Sequence, residues 1–293
     1  MIQKRNTKII AKTVLYTFLA LSAFAANSVI CRLALKEKAI DPGLFTSIRL
    51  ISGALVLVLL VFLSRSDRSS YSKGSWVSGF ILFLYAAAFS YAYITLETGT
   101  GALIVFGAVQ ITMIAYSLVT GYKMSVYEWL GVVLSIAGFI YLMLPGAKAP
   151  SISGFVLMSI SGISWGLYSI RGNNSKNPLN ETAFNFLRAT PFLMLLLFFV
   201  AKDINASTKG ILLALLSGTI TSGIGYTIWY MALKELTSIQ ASIVQLFVPV
   251  LAAIGGVIFV GELISYKLVI ASLMILGGIF LLIIGKTRVK TNS

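Results

Sequence analysis

Apolar residues run in long stretches separated by brief polar ones. A helix crossing about 30 Å of hydrocarbon needs about 20 mostly apolar residues. Windows of that length fall at 13–31, 43–63, 75–96, 99–120, 127–145, 153–171, 180–201, 209–233, 237–260 and 265–285. The pattern predicts an all-α polytopic membrane protein with ten transmembrane helices. The connections are short and leave no room for a soluble domain: Ser64 to Gly74 carries Arg65, Asp67, Arg68 and Lys73, and Gly172 to Leu179 carries Asn173, Asn174, Lys176 and Pro178. At the N-terminus, Lys4, Arg5, Lys8 and Lys12 precede an apolar run containing Ala23-Phe24-Ala25, the outline of a cleavable signal peptide. That run extends to Ile30, long enough to span, and is read as the first helix.

Sliding the sequence over itself by 139 positions brings Ser22 onto Ser161, Arg32 onto Arg171, Arg49 onto Arg188, Ser78-Gly79 onto Ser217-Gly218 and Tyr91 onto Tyr230. Thr98 then meets Thr237, Ala102 meets Ala241, Tyr127 meets Tyr266 and Gly138 meets Gly277, without a gap. Apolar coincidences are cheap in such a chain, whereas arginine, glycine and tyrosine at one constant offset are not. The expected organisation is two five-helix repeats, 13–145 and 152–285, flanked by basic cytoplasmic tails at 1–12 and 286–293. A repeat with an odd number of crossings enters the bilayer from opposite sides in its two copies, so the halves are expected to be inverted, an arrangement found in carriers. With the N-terminus in the cytoplasm, fourteen basic residues fall on that side against seven on the other, which puts both termini inside.

Composition narrows the function. Apolar residues make up 58% of the chain, charged residues 11%, and mean hydropathy is +0.92, far from a soluble domain. The net charge of +14, from 23 basic and 9 acidic residues, is explained by basic loops and tails, and no nucleic-acid partner is expected. One cysteine, Cys31, and no histidine leave neither an internal disulfide nor the usual ligands of zinc or haem, so no metal and no cofactor are expected. No Gly-x-x-x-x-Gly-Lys-Ser/Thr loop is present to drive a nucleotide-powered pump. Paired carboxylates, a histidine cluster or a serine with its base are also missing, and the chain is not expected to be an enzyme.

Several motifs, in order and spacing, resemble the drug/metabolite transporter superfamily in its ten-span bacterial branch of EamA-type carriers. Phe24 to Arg32 is similar to that family's first-span motif, and Trp165-Gly166-Leu167-Tyr168-Ser169-Ile170-Arg171 repeats it in the sixth. Pro42, Phe45 and Arg49, with Phe184 and Arg188 in the copy, resemble its proline-led segment carrying one arginine. Pro249, Gly261-Glu262 and Gly277-Gly278 resemble its mid-helix proline, Gly-Glu helix end and glycine-bearing last helix. The first half departs from the pattern, with Gln110 at the proline position, Tyr122-Lys123 after Gly121, and Phe24 for tryptophan. The resemblance implies a carrier in the bacterial cytoplasmic membrane that exports amino-acid-like or other small metabolites.

Trp165 and Tyr168 share a helical face, and Asn27 lies within one position of Trp165's counterpart, which makes all three candidates for a cavity lining. Tyr85, Tyr91, Tyr226, Trp229 and Tyr230 could line a path or pack between helices. Gln110 and Gln245 are amides deep in apolar spans and must face other helices, as interhelical ties or ligand contacts. Pro249 removes an N–H one turn after Gln245, and a broken helix is where carriers often place a site. Arg49 and Arg188 are intramembrane charges that could meet an anionic substrate group or snorkel to the interface as structural residues. The nine acids fall in loops or near span ends, and Glu97 is the candidate for any ion coupling. Gly131, Gly138, Gly277 and Gly278 are expected to let helices approach closely.

The function expected is a secondary transporter working by alternating access, with cavity walls from spans one, three, four, six, eight and nine and neutral or zwitterionic substrates. The alternative is a non-transporting receptor or assembly partner. The partners expected are a small-molecule substrate and the lipid bilayer, with a homodimer left open.

Overall fold

A computed structural model describes residues 2–64, 73–146, 149–172, 175–200, 205–236 and 238–291. The loop charges Arg65, Asp67, Arg68, Lys148, Lys202 and Asp203, together with Asn173, Asn174 and the ends of both tails, lie outside the described residues. Every regular element described is helical. In chain order these are α1 (Ile2–Lys36), α2 (Pro42–Leu63), α3 (Trp76–Ala92), α4 (Thr98–Val119), α5 (Val126–Met143), α6 (Ile152–Gly172), α7 (Pro178–Ala189) and α8 (Leu193–Val200). They continue with α9 (Thr208–Leu216), α10 (Gly225–Leu233), α11 (Ser238–Gln245), α12 (Phe247–Gly255) and α13 (Tyr266–Thr291).

The helix starts follow from local chemistry. Asp41 Oδ1 accepts from the Gly43 and Leu44 amides at 2.7 and 3.2 Å, with Pro42 ready at the first helical position. Ser75 and Ser207 cap α3 and α9 in the same way, and Ser125 forms a reciprocal capping box with Glu128. Gly261, at φ +68°, ends the ninth segment in the left-handed region that glycine enters without strain.

Eight helices are long and apolar enough to cross a membrane: Ile10–Lys36, Pro42–Leu63, Thr98–Val119, Val126–Met143, Ile152–Gly172, Thr208–Leu233, Ile243–Val260 and Tyr266–Ile283, with the shorter apolar helix Trp76–Ala92 beside them. The window expected at 180–201 is not one continuous helix, because a 3-10 turn at Thr190–Phe192 separates α7 from α8. Pro191 cannot donate to Leu187 and its ring crowds that carbonyl. The window at 237–260 breaks at Leu246, between α11 and α12, three residues before Pro249. Two segments, Ser217–Ile224 and Gly256–Val260, wind more widely, as π-helices. Residues 2–12, expected to be a tail, continue α1.

Large apolar side chains such as Leu55, Phe62, Val119 and Leu273 cover the exterior, while Thr46, Ser52, Ser90, Asn27 and Ser161 are buried. A water-soluble chain has the opposite distribution; here the surrounding solvent is hydrocarbon. The long helices pack mainly on helices from the other half of the chain, and the contacts come in mated pairs under the shift of 139. The packing of α3 on α6 is matched by that of the eighth segment on α1, that of α4 on α6 by that of α12 on α1, and α5 packs on α13. Glycine permits the last of these approaches. A Cβ added to Gly131 would fall 2.9 Å from the Leu282 amide, and one added to Gly278 would fall 2.5 Å from the Gly131 carbonyl. Gly138 sits equally tightly on Ile275, but Gly277 has open space, so the close-approach role expected of it does not apply.

Candidate functional site

A cavity of about 430 Å³, counting the open space at its mouth, lies in the middle of the bundle, between the two halves. Phe24, Asn27 and Ser28 come from α1, Tyr85 and Phe89 from α3, and Val105, Phe106 and Val109 from α4. The second half supplies Trp165 from α6, Thr221 from the π segment and Tyr226 from α10. The rings are ordered. Trp165 stacks on Tyr226 at 5.1 Å and 19° and on Tyr168 at 5.5 Å and 21°, while Tyr85 tilts against it at 4.9 Å. Such a stack gives flat apolar area with hydroxyl edges.

The polar edge of the cavity is held by buried neighbours. Asn27 Oδ1 accepts from Ser217 Oγ at 2.7 Å and Thr221 Oγ1 at 3.1 Å, which leaves its amide N–H groups as what it can offer. Behind Tyr85 lies Arg49, 1% exposed. Its Nη2 donates to Tyr85 Oη at 3.2 Å and its Nε to Ser222 Oγ at 3.3 Å, and its guanidinium lies 5.4 and 5.2 Å from the Tyr85 and Phe89 ring centres. Nη1 has no hydrogen-bond partner, and among the described residues no carboxylate pairs with this cation. A buried unpaired charge costs several kcal/mol, against about 0.5–2 kcal/mol from each ring face. With the two hydrogen bonds, these contacts offset much of that cost, and Nη1 is the part of the guanidinium left without a partner.

Arg188, the counterpart of Arg49, is only half buried. It lies over the Trp76 ring at 5.6 Å and donates to the Lys73 carbonyl in the loop before α3. Arg188 thus reaches a loop carbonyl, with its Nε left without a hydrogen-bond partner, whereas Arg49 stays inside the bundle.

The remaining candidates divide. Asn27, Tyr85, Trp165 and Tyr226 line the central cavity. Tyr168 is buried at the far end of the ring stack and, with Tyr230, Thr182, Asn185 and Ser78, lines a second, more open cavity beside Gly172. Trp229 packs edge-on to Phe24 at 5.8 Å, between helices. Tyr91 and the buried Gln110 lie in the wall of neither cavity. Gln245 also lies outside both, its Nε2 donating to its own turn at the Ala241 carbonyl (3.4 Å), and Pro249 is buried beyond it. The ninth segment, expected as a wall, contributes none of the residues lining the central cavity. Glu97 is half buried at the start of α4.

Ser28, Phe89, Phe106, Thr221 and the supporting Ser217 and Ser222 were not singled out from the sequence. A larger omission is the ion pair of Arg32 Nε with Glu262 Oε1 at 3.1 Å, with side chains 10% and 8% exposed. Glu262 Oε2 also accepts the Thr98 amide at 2.8 Å, and Arg32 Nη1 donates to the Tyr93 and Ile94 carbonyls, each at 2.9 Å. This ties the ends of α1 and the ninth segment to the α3–α4 turn. At the opposite end of the bundle the counterpart Arg171 meets, among the described residues, two hydroxyls, Ser78 at 3.1 Å and Ser75 at 3.4 Å. Lys123 occupies the repeat position of Glu262. Beside it, partial burial and donation to the Glu128 carboxylate push the Tyr122 phenol up to about 12.

No group of three or more histidine, cysteine or acidic residues able to hold a metal ion occurs among the described residues. What the arrangement offers is a ring-walled, donor-edged chamber reached by both halves.

Comparison with known proteins agrees with this picture. The model of the EamA-like transporter family matches twice, at residues 11–144 and 152–284. An uncharacterized protein of Pseudomonas aeruginosa is 47% identical over 272 residues, 93% of this chain and 94% of its own length. An uncharacterized transporter of Archaeoglobus fulgidus is 24% identical, covering 92% and 97% of the two chains, and the uncharacterized transporter YoaV of Bacillus subtilis is 22% identical over 83% and 87%. A crystal structure 17% identical in sequence shares the fold, with a TM-score of 0.65 over 93% of this chain and 97% of that one.

Proposed function

Because this multi-pass membrane protein belongs to the EamA-like transporter family, we propose that it is a secondary carrier exporting amino-acid-like small metabolites across the bacterial cytoplasmic membrane. The observation that carries this reading is the central cavity, walled by α1, α3 and α4 of one half and by α6, the π segment and α10 of the other. A chamber shared in this way changes shape when the halves rock against each other, as alternating access requires. Ten crossings result if α3 and the broken α7–α8 segment span alongside the eight long helices. The mated helix contacts support two inverted repeats, 13–145 and 152–285, and the basic-residue count supports both termini in the cytoplasm. With no nucleotide-binding loop in the sequence, the driving force is a gradient.

The test is counterflow of labelled amino acids, nucleosides and organic acids in proteoliposomes, with the wild-type chain and Trp165→Ala. Saturable exchange that falls at least tenfold in the variant is expected. Absence of exchange for every compound, with protein shown to be folded, would move the function to a non-transporting membrane partner.

A further inference from the structure

One incompletely paired cation lies directly behind the chamber wall, hydrogen-bonded to Tyr85 of its lining. Arg49 is fully buried, its Nη1 has no partner, and no described carboxylate pairs with it. The helix itself is fixed there: a Cβ on Gly218 would fall 3.0 Å from the Arg49 carbonyl carbon, so the eighth segment holds the α2 backbone in place. The guanidinium does not reach out to a loop carbonyl as Arg188 does. Its Nη2 donates to the Tyr85 hydroxyl oxygen, which polarises that O–H and strengthens it as a donor. Asn27, also in the chamber wall, has its oxygen occupied by Ser217 and Thr221 and offers N–H groups. The polar edge thus offers donors with a positive charge behind it, while the rest of the wall is aromatic rings with Val105 and Val109.

We infer that Arg49, acting with Tyr85 and Asn27, forms an anion-recognition site for the carboxylate of a small substrate whose flat apolar body lies against Trp165 and Tyr226. The inference rests on the cavity being the ligand site of the carrier proposed above and adds the substrate class: monocarboxylates and zwitterions bind, while their amides and amines are rejected. A neutral isostere leaves the donors and the buried charge unmatched, which is how a polar site discriminates strongly. A carboxylate completes an arrangement that is electrostatically open without it.

The test is ligand-dependent thermal stabilisation of the purified full-length protein in detergent, with benzoate against benzamide and phenylalanine against phenylalanine amide. Benzoate and phenylalanine should raise the transition temperature saturably, with the amides at least tenfold weaker. Arg49→Gln should abolish that preference, Arg49→Lys should keep part of it, and Tyr85→Phe, which retains the ring, should weaken carboxylates alone. If Arg49→Gln does not fold, Arg49→Lys and Tyr85→Phe carry the test. Equal stabilisation by acids and amides, an equal shift with chloride at matched ionic strength, or no shift with either acid at millimolar concentration overturns the inference. Carboxylate binding without exchange in proteoliposomes would sink the carrier reading alone. Exchange of neutral solutes that is indifferent to Arg49→Gln would sink this inference alone.

Discussion

Arg49 and Arg188 occupy the same position of the two repeats, each against the glycine that the repeat places opposite it. An added Cβ on Gly79 would lie 3.0 Å from the Arg188 carbonyl carbon, and one on Gly218 would lie 3.0 Å from that of Arg49. The backbones are mated, but the side chains have separated. Arg188 leans out over Trp76 to the Lys73 carbonyl, and Arg49 turns inward beneath Tyr85. The other repeated pair separates as well, Arg32 meeting Glu262 while Arg171 meets serine hydroxyls. Once the helix framework is fixed by packing, the chemistry at each end and at the centre depends on which neighbours each copy has acquired. The first half's arginines meet a carboxylate or lie buried beneath the chamber wall, and the second half's reach serine hydroxyls and a loop carbonyl.

Charge removal should separate the two ends most. Glu262→Gln leaves Arg32 without its counter-ion and takes a charged acceptor from the Thr98 amide, and should destabilise by about 3 kcal/mol. Arg171→Gln, which loses only hydroxyl contacts, should cost about 1 kcal/mol or less. Thermal melting in detergent measures both, and equal losses would erase the distinction between the ends. The shared backbone contact comes next. Gly218→Ala and Gly79→Ala should each destabilise by about 1–3 kcal/mol, since the obstructing atoms include backbone; a tolerant Gly79 would mean that the framework is not mated after all. The smallest effect is expected at Arg188→Gln, within about 0.5 kcal/mol in stability and without change in carboxylate binding, in contrast to Arg49→Gln.

The elements that sequence revealed are those specified locally. Hydrophobic length marked the spans, and the constant offset of arginines and glycines marked the repeat. Trp165, Tyr85 and Asn27 stood out because rings and amides in the middle of apolar spans need polar or aromatic company. Ser28 and Thr221 gave no such signal. Hydroxyls in apolar helices commonly bond back to their own turn, as Thr221 does to the Ser217 carbonyl at 2.9 Å, so their presence does not point to a cavity. The Arg32–Glu262 pair joins residues 230 positions apart, and nothing local announces it. Gln110 was drawn toward the site by polarity, and Gln245 by polarity and the proline one turn beyond it, but for Gln245 a bond to its own turn was sufficient. Pro191 was visible in the sequence, but its effect on the seventh segment depended on the 3-10 turn that α7 and α8 adopt around it.

The wide winding of Ser217–Ile224 sets the two halves out of phase. Its counterpart in α3 is regular α-helix, and in a π-helix each residue advances the face by a smaller angle, so the inward face is reached later in the sequence. By the offset of 139, Tyr85 corresponds to Ile224 and Tyr226 to Ala87. Ile224 is exposed on the exterior and Ala87 is buried against other helices, while the two tyrosines both face the chamber. Positions equivalent by descent are therefore not equivalent in use. A substitution at 85 or 226 can alter what the chamber accepts, whereas the same substitution copied to its aligned partner would meet lipid in one case and a packed helix in the other.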